Sequence, residues 1–126
     1  MNKSIFAPNL PAVGPYAHAV LTGNTLYTSG QIPFDPIRGE LVTGSIETQT
    51  RQVFANLKAV LNVAGFDFCH VVKATVFLTD ITAHFVEVNQ VYAEMFPESS
   101  LPARSCVQVA ALPMGAQVEV ELIAVK

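Results

Sequence analysis

Hydrophobic and polar residues change their spacing several times along the chain, and each change predicts a new element of secondary structure. Apolar residues recur at helical spacing from Ser45, a residue type favoured at N-caps, to Gly65, a residue type that ends helices, which predicts the first helix. The same spacing predicts a second helix, capped by Asp80 or Thr82 and ended by Pro97. The apolar stripe of the second helix, which we expect to face the core, is Phe85, Val88, Val91, Tyr92, Met95 and Phe96.

Shorter segments rich in β-branched residues predict the strands. Residues 17–21 and 25–31 flank a Thr-Gly-Asn turn and predict a hairpin, whereas two prolines indicate a loop at 32–39. Residues 70–78 predict a central strand, and two more strands follow the second helix. The resulting order, β-β-α-β-α-β-β, predicts an α+β fold with both helices on one face of a mixed sheet.

Alternation along the last two strands predicts a polar site on one face of the sheet. Arg104 and Cys106 lie two residues apart and therefore project from the same face, as do Glu119 and Glu121. We expect the turn at 112–115 to close these strands into a hairpin. A guanidinium, a thiol and a carboxylate then meet on the face turned away from the helices, an arrangement that suits a small anion and a water molecule.

The composition indicates one domain with an interface to other subunits. A chain of 126 residues is long enough for one core but too short for two, so we expect a single domain over residues 1–126. Only 13% of its residues are charged, against a typical value of about 25%, and 51% are apolar. One small domain cannot hide that much apolar surface, and the face of the sheet without helices is the natural place for a second subunit.

Several classes of protein are disfavoured by the charges and the spacing of reactive residues. The net charge is -3 with the basic residues scattered singly, so nucleic acid is not expected as a partner. No apolar run approaches the ~20 residues of a membrane span and no signal peptide is recognisable, so a cytoplasmic protein is expected. Cys69 and Cys106, like His18, His70 and His84, have no spacing typical of a disulfide framework or a metal site.

The candidate site residues also have ordinary structural explanations. Arg104 is equally suited to an ion pair with Glu119 or Glu121 and to binding a ligand carboxylate. Cys106 without a neighbouring histidine is a small hydrophobe or a group that positions water, rather than a nucleophile. The remaining candidates carry no specific functional signal on their own. Tyr16 and Ser29 provide a hydroxyl in a loop and in a turn, and Gly30 provides a flexible backbone position. Asn89 is a polar position on the second helix.

Seven short motifs, in order from Gly14 to the C-terminal strand, resemble the Rid family, also called YjgF/YER057c/UK114, and within it the RidA-type deaminases of 2-iminobutanoate and 2-iminopropanoate. The motifs are Gly14-Pro15-Tyr16, Thr28-Ser29-Gly30-Gln31-Ile32-Pro33, Asn56-Leu57-Lys58-Ala59-Val60-Leu61, Val72-Lys73-Ala74-Thr75-Val76-Phe77-Leu78-Thr79-Asp80, Asn89-Gln90-Val91-Tyr92, Pro102-Ala103-Arg104-Ser105-Cys106-Val107 and Val118-Glu119-Val120-Glu121. The resemblance implies a subunit of the bacillus chorismate-mutase type. It also implies a homotrimer with a central β-barrel and three clefts between subunits.

The resemblance also implies roles for individual residues. Arg104 matches the arginine that binds the substrate carboxylate, with the backbone around Gly30 and Cys106 helping to hold the substrate. Glu119 matches the residue that positions the attacking water together with Cys106. The residues that match positions lining the cleft are Tyr16, Ser29, Gly30, Asn89 and Arg104.

Two departures from the family pattern bear on specificity. His18 stands where the family usually has glutamine, and the chain reads Ala111-Leu112-Pro113-Met114 where Arg-Leu-Pro-Lys is common. The second departure removes two positive charges near the entrance of the implied cleft. We expect it to affect substrate preference and rate, and not the core chemistry.

The resemblance implies hydrolysis of reactive 2-enamines and 2-imines, such as 2-iminobutanoate and 2-iminopropanoate, to 2-oxoacids and ammonia, without a metal or organic cofactor. Two alternatives stay open at this point. One is a trimeric regulator that binds 2-oxoacids or amino acids without turnover, and the other is a stress-activated holdase chaperone. A ribonuclease activity, attributed to some relatives, fits poorly with an acidic chain that lacks basic clusters.

Overall fold

The computed structural model describes residues 2–126, which form eight strands and two α-helices. The helices are α1 (Ile46–Val63) and α2 (Ile81–Met95). The strands are β1 (Asn2–Ile5), β2 (Ala19–Thr22), β3 (Thr25–Thr28), β4 (Phe34–Asp35), β5 (Glu40–Leu41), β6 (Val71–Leu78), β7 (Ala103–Gln108) and β8 (Val118–Val125). Neither helix is long and apolar enough to cross a bilayer.

Side-chain caps define the helix ends where the sequence predicts them. The Ser45 hydroxyl accepts the Thr48 N–H at 3.1 Å and starts α1, and the Asp80 carboxylate accepts the Ala83 N–H at 3.1 Å and starts α2. After α1, Gly65 adopts a φ of 81°, a left-handed conformation that costs glycine little. The predicted caps at Ser45 and Asp80 and the stop at Gly65 are therefore confirmed.

Six of the strands form one sheet in the order β1-β2-β3-β8-β6-β7. Strands β6 and β7 run parallel because α2 connects them as a crossover, and the other neighbours in this sheet are antiparallel. Strands β4 and β5 form a separate two-stranded ribbon, in which β4 lies within the predicted loop at 32–39 and β5 directly follows it. The mixed sheet and the α+β class are as predicted; β1 and this ribbon are additions to the predicted order.

The apolar core lies between the sheet and the two helices. Alternate residues of β6 and β8 are buried against the helices: Ala74, Val76, Leu78, Val118, Val120, Leu122 and Ala124. Phe54 of α1 makes edge contacts with Phe68, Tyr92 and Phe96, with ring centroids 6.0 Å apart in each pair. The residues between the buried ones on β6 and β8 point to the opposite face, which no helix covers.

The predicted hairpin between the last two strands is wrong. Strand β7 pairs with β6 alone and lies at the edge of the sheet, and β6 separates it from β8. The segment after β7 contains a short 3₁₀ turn at Pro113–Gly115 and leads the chain past β6 instead of folding it back beside β7. A parallel β6–β7 pair leaves the antiparallel position beside β6 to β8.

His18, the first departure from the family pattern, is buried in the structure and holds the N-terminal segment. Its Nδ1 accepts the Ala7 N–H at 2.9 Å, and its Nε2 donates to the Pro11 carbonyl at 3.1 Å. Its ring is 1% exposed and lies edge-on to Phe6. The imidazole therefore joins three positions of the segment that precedes β2.

Replacing His18 by alanine is expected to lower the free energy of unfolding by about 1–3 kcal/mol, because it leaves a buried N–H and a carbonyl without partners. His18→Gln is the matched control, since its amide offers one acceptor and one donor. We expect it to retain most of the stability in urea or guanidinium unfolding. Equal losses in the two variants would show that the two hydrogen bonds contribute little.

Candidate active site

Arg104 is held over an aromatic ring on the helix-covered side of the edge strand β7. Its Nη1 donates to the Asn89 Oδ1 at 2.6 Å, and its Cζ lies 4.7 Å from the centroid of the Tyr92 ring. Phe85 contributes a second ring at 5.8 Å. The guanidinium is thus positioned by an amide and two aromatic rings, all of which are neutral.

A single stripe of α2 provides these contacts. Phe85, Asn89 and Tyr92 are four and three residues apart, so they share one helix face, which turns toward β7. The sequence predicts Phe85 and Tyr92 as core residues only and Asn89 as a cleft residue. The helical spacing of Phe85, Asn89 and Tyr92 predicts that they share a face of α2. It does not predict that this face contacts an arginine.

Arg104 has no acidic partner within 4 Å in the part of the chain that the structure describes. This distinguishes it from Arg51, which pairs with Glu47 at 3.2 Å and with Glu94 at 2.8 Å. The ion-pair explanation for Arg104 therefore fails within one chain. Its positive charge and most of its N–H donors are available to an anion.

Cys106 lies two residues beyond Arg104, on the same face and partly buried. Burial raises the pKa of the Cys106 thiol, and the nearby charge of Arg104 offsets part of that rise. The group is therefore a protonated thiol near neutral pH and not a thiolate. The Cys106 thiol is therefore better suited to act as a weak hydrogen-bond donor than as a nucleophile.

A second polar group lies in a cleft of about 460 Å³ between the N-terminal segment and the uncovered face of the sheet. Glu119 and Glu121 of β8 form its acidic wall. Burial raises the pKa of Glu119 above its ordinary value, and the like charge of Glu121 raises it further. The apolar side chains that line the cleft are Leu10, Pro11, Val13, Ile32, Phe34, Pro113 and Met114.

Gly30 leaves room for the Glu119 side chain, which lies directly over it. A Cβ at Gly30 would lie 2.7 Å from the Glu119 Cδ, too close for two carbon atoms. The strand pairing fixes this approach, because the Gln31 N–H donates to the Val120 carbonyl at 2.9 Å and the Val120 N–H donates to the Gln31 carbonyl at 3.2 Å. Glycine thus leaves room for the carboxylate above the backbone.

The other predicted cleft residues surround the same carboxylate. Ser29 lines the cleft and its hydroxyl donates to the Ala17 carbonyl at 2.7 Å. Tyr16 lies at the rim with 43% of its surface exposed. Met114 lines the cleft in a left-handed conformation with a φ of 58°, whereas Ala111 is exposed outside the lining.

The two groups occupy opposite faces of the sheet, so the predicted convergence within one chain is wrong. The register pairs Val76 with both Cys106 and Val120, which places Cys106 and Arg104 on the helix-covered face. Glu119 pairs with Phe77, on the uncovered face. The structure therefore joins Arg104, Cys106 and Asn89 in one cluster, and Tyr16, Ser29, Gly30 and Glu119 in another.

Among residues 2–126, no three His, Cys, Asp or Glu side chains converge closely enough to hold a metal ion.

Gly30→Ala is expected to reduce stability by about 1–3 kcal/mol, because the added methyl group overlaps the Glu119 carboxylate. In a Glu119→Ala background the same change should cost much less, since the overlapping group is gone. The measurement is a double-mutant cycle on the free energy of unfolding, with an expected coupling of about 1–2 kcal/mol. An additive cycle would mean that Glu119 does not constrain position 30.

Comparisons with known proteins agree along the whole chain. The family model described as Endoribonuclease L-PSP matches residues 7–126. A 2-iminobutanoate/2-iminopropanoate deaminase of Bos taurus is 50% identical over 127 residues, covering 100% of this chain and 91% of that protein. A RutC family protein of Pyrococcus horikoshii is 48% identical over 127 residues, covering 100% of this chain and 99% of that protein.

A solved structure gives the same result for the fold. The Rid family protein YyfA of Yersinia pestis superposes with a TM-score of 0.94 at 46% identity and covers 100% of both chains. A family match across residues 7–126 and relatives of this identity show that the chain belongs to the Rid family, the YjgF/YER057c/UK114 proteins, whose family model is described as Endoribonuclease L-PSP.

Proposed function

We propose that this protein hydrolyses reactive 2-enamine and 2-imine intermediates, such as 2-iminobutanoate and 2-iminopropanoate, to 2-oxoacids and ammonia. The observation that carries the proposal is Arg104, a cation held by neutral groups on an exposed edge strand. A guanidinium binds a carboxylate with two parallel hydrogen bonds, and every 2-imino acid has a carboxylate next to its reactive carbon. The name of the Bos taurus relative supports this activity.

A second copy of the chain completes the proposed site. Arg104 and Glu119 lie on opposite faces of one sheet, so one chain cannot present both to one small molecule. Strand β7 is exposed except at the partly buried Cys106, and no strand lies on its outer side among residues 2–126, which makes it accessible to another subunit. These features support a homotrimer in which Arg104 and Cys106 of one subunit meet Glu119 of the partner subunit in each of three clefts.

The chemistry requires water to add across the C=N bond. Arg104 holds the substrate carboxylate. The water gives one proton to Glu119 as its oxygen bonds to the imine carbon, and the imine nitrogen takes up a proton from the solvent, which yields the carbinolamine. The nitrogen then takes the proton held by Glu119, the carbon–nitrogen bond breaks to release ammonia, and the hydroxyl group gives its proton to the solvent as the 2-oxoacid forms. A raised pKa suits this role, because a more basic carboxylate accepts the proton more readily near neutral pH.

Cys106 supports the reaction without forming a covalent bond. Its raised pKa keeps the thiol protonated, and its position beside Arg104 places a weak donor near the bound carboxylate and the water. Because such imines also hydrolyse unaided, orientation and proton transfer are sufficient tasks for the protein. No step in this scheme uses a metal or an organic cofactor.

The lining of the cleft fits small apolar imino acids better than RNA. Its side chains are mostly apolar, and its charged groups are the carboxylates of Glu119 and Glu121. Among residues 2–126 of one chain, neither Lys nor Arg lines it, and the partner subunit's Arg104 would add one cation, which suits a single carboxylate better than a phosphate backbone. Met114, at a position where a lysine is common in the family, adds to the apolar wall. The cytoplasmic location expected from the sequence stays a prediction.

Arg104→Lys is expected to lower kcat/KM about tenfold to a hundredfold, since the charge remains but the two parallel hydrogen bonds are lost. Arg104→Ala should lower it further and weaken binding of 2-oxobutanoate. Glu119→Gln should retain that binding and lower kcat by about 10²–10⁴-fold, because the amide cannot accept a proton. The measurements are an imine assay with substrate generated in situ and calorimetric binding of the 2-oxoacid.

The spontaneous rate of imine hydrolysis is the control for these assays. A parent protein that binds 2-oxobutanoate but leaves that rate unchanged is a regulator and not an enzyme. If Arg104→Ala binds 2-oxobutanoate as tightly as the parent while its fold and assembly are intact, the anchoring role of Arg104 is wrong.

Mixing two inactive variants tests the intersubunit site. Trimers assembled at random from equal amounts of Arg104→Ala and Glu119→Gln have both groups intact in about a quarter of their clefts, because each group is intact with a probability of about one half. We therefore expect about a quarter of the parental activity after co-expression or co-refolding. Each variant alone is the control, and light scattering reports the trimer.

No recovery in mixed trimers that are shown to form would place both groups in one chain. A monomer at micromolar concentration would likewise remove the basis for the intersubunit cleft.

A further inference from the structure

We propose that Tyr92 is a positioning residue, which holds Arg104 in its anion-binding orientation through the face of its ring. The Arg104 Cζ lies 4.7 Å from the Tyr92 centroid, closer than it lies to the Phe85 centroid at 5.8 Å. The inference rests on the proposed function in one respect, because it takes a carboxylate as the ligand of Arg104.

An anion-binding arginine on an edge strand needs a support that does not neutralise it. Arg104 is exposed, and a free arginine side chain samples many rotamers that binding would have to freeze. A carboxylate would hold it but would also occupy its N–H donors, as Glu47 and Glu94 do for Arg51. The face of an aromatic ring attracts the cation and leaves the in-plane N–H groups free. Asn89 uses only one of them.

Tyr92 is itself fixed by the core, which makes it a rigid support. Its side chain is 7% exposed, and its ring packs 4.7 Å from Phe96 and 6.0 Å from Phe54, measured between centroids. Phe85, in contrast, is 38% exposed. Because the aromatic core fixes the Tyr92 ring, this ring in turn restricts the Arg104 side chain. The orientation of the guanidinium is therefore set before a ligand binds.

The ring and the hydroxyl of Tyr92 have separable roles. The hydroxyl is buried and has no hydrogen-bond partner among residues 2–126. The contact with Arg104 is made by the ring face. Phenylalanine at this position keeps that face, whereas leucine keeps most of the apolar volume and removes it.

The first experiment measures calorimetric binding of 2-oxobutanoate and the kinetics of imine hydrolysis for three variants. Tyr92→Leu is expected to weaken 2-oxobutanoate binding and to raise KM about tenfold, with a smaller change in kcat, because the carboxylate is held in the ground and transition states alike. Tyr92→Phe should restore most of the affinity. Phe68→Leu is the matched control for loss of a core aromatic, since the Phe68 ring pairs with the rings of Phe54 and Phe96 and does not lie under Arg104. It should lower Tm and leave binding unchanged.

The second experiment needs no variant, so it decides the matter even if Tyr92→Leu does not fold. In the parent protein, ring current from Tyr92 should shift the side-chain NMR signals of Arg104 upfield relative to those of Arg38, whose side chain is 71% exposed. Arg104 signals at the positions of an exposed arginine would overturn the proposal.

The other results of the binding and kinetic experiments distinguish the role of Tyr92 from the proposed function. The Tyr92 inference is overturned if Tyr92→Leu binds like the parent, if Phe68→Leu is impaired as much as Tyr92→Leu, or if Tyr92→Phe is as weak as Tyr92→Leu. A parent that binds 2-oxobutanoate without accelerating imine hydrolysis contradicts the proposed function and leaves this inference standing. A parent that binds no 2-oxobutanoate overturns both.

Discussion

Strand β6 pairs with β7 on one side and with β8 on the other, and this double pairing determines which face of the sheet carries each chemical group. Its buried residues Ala74, Val76 and Leu78 face the helices, so the residues of β7 directly beside them face the helices too. Arg104 and Cys106 are two of those neighbours. Glu119 lies beside Phe77 and faces the other way. Pleating alone therefore separates the cation from the carboxylate by the thickness of the sheet.

Each of the two clusters is electrostatically incomplete within one chain. Among residues 2–126, Arg104 contacts neutral groups and has no acidic partner, whereas Glu119 and Glu121 place two like charges on the wall of the other cleft. Burial and the like charge of Glu121 both disfavour the ionised form of Glu119 and raise its pKa. An interface that joins the clusters brings the Arg104 cation near these carboxylates and thus brings opposite charges together. The intersubunit site that we propose follows from this complementarity.

Near each cluster, one residue departs from the rules that ordinarily stabilise a fold. Gly30 gives up a side chain so that the Glu119 carboxylate has room above the backbone. Tyr92 has a buried hydroxyl without a hydrogen-bond partner among residues 2–126, and its ring face lies against Arg104. Positions at which a chain departs from an ordinary packing or hydrogen-bonding rule are often functional. Gly30 and Tyr92 are two such positions, one beside each half of the candidate site.

The amino-acid sequence by itself determined both helices and every strand of the main sheet except β1, because caps, turn residues and apolar spacing act over a few neighbouring residues. Ser45, Asp80 and Gly65 mark helix ends as predicted, and Arg104 and Cys106 share a face as their spacing requires. The alternation of polar and apolar residues along a strand indicates which residues share a face of the sheet. It does not indicate whether the helices cover that face or which strands are neighbours. Only the tertiary structure decided those points, since the crossover through α2 makes β7 a parallel edge strand and moves Arg104 onto the Tyr92 ring, away from Glu119.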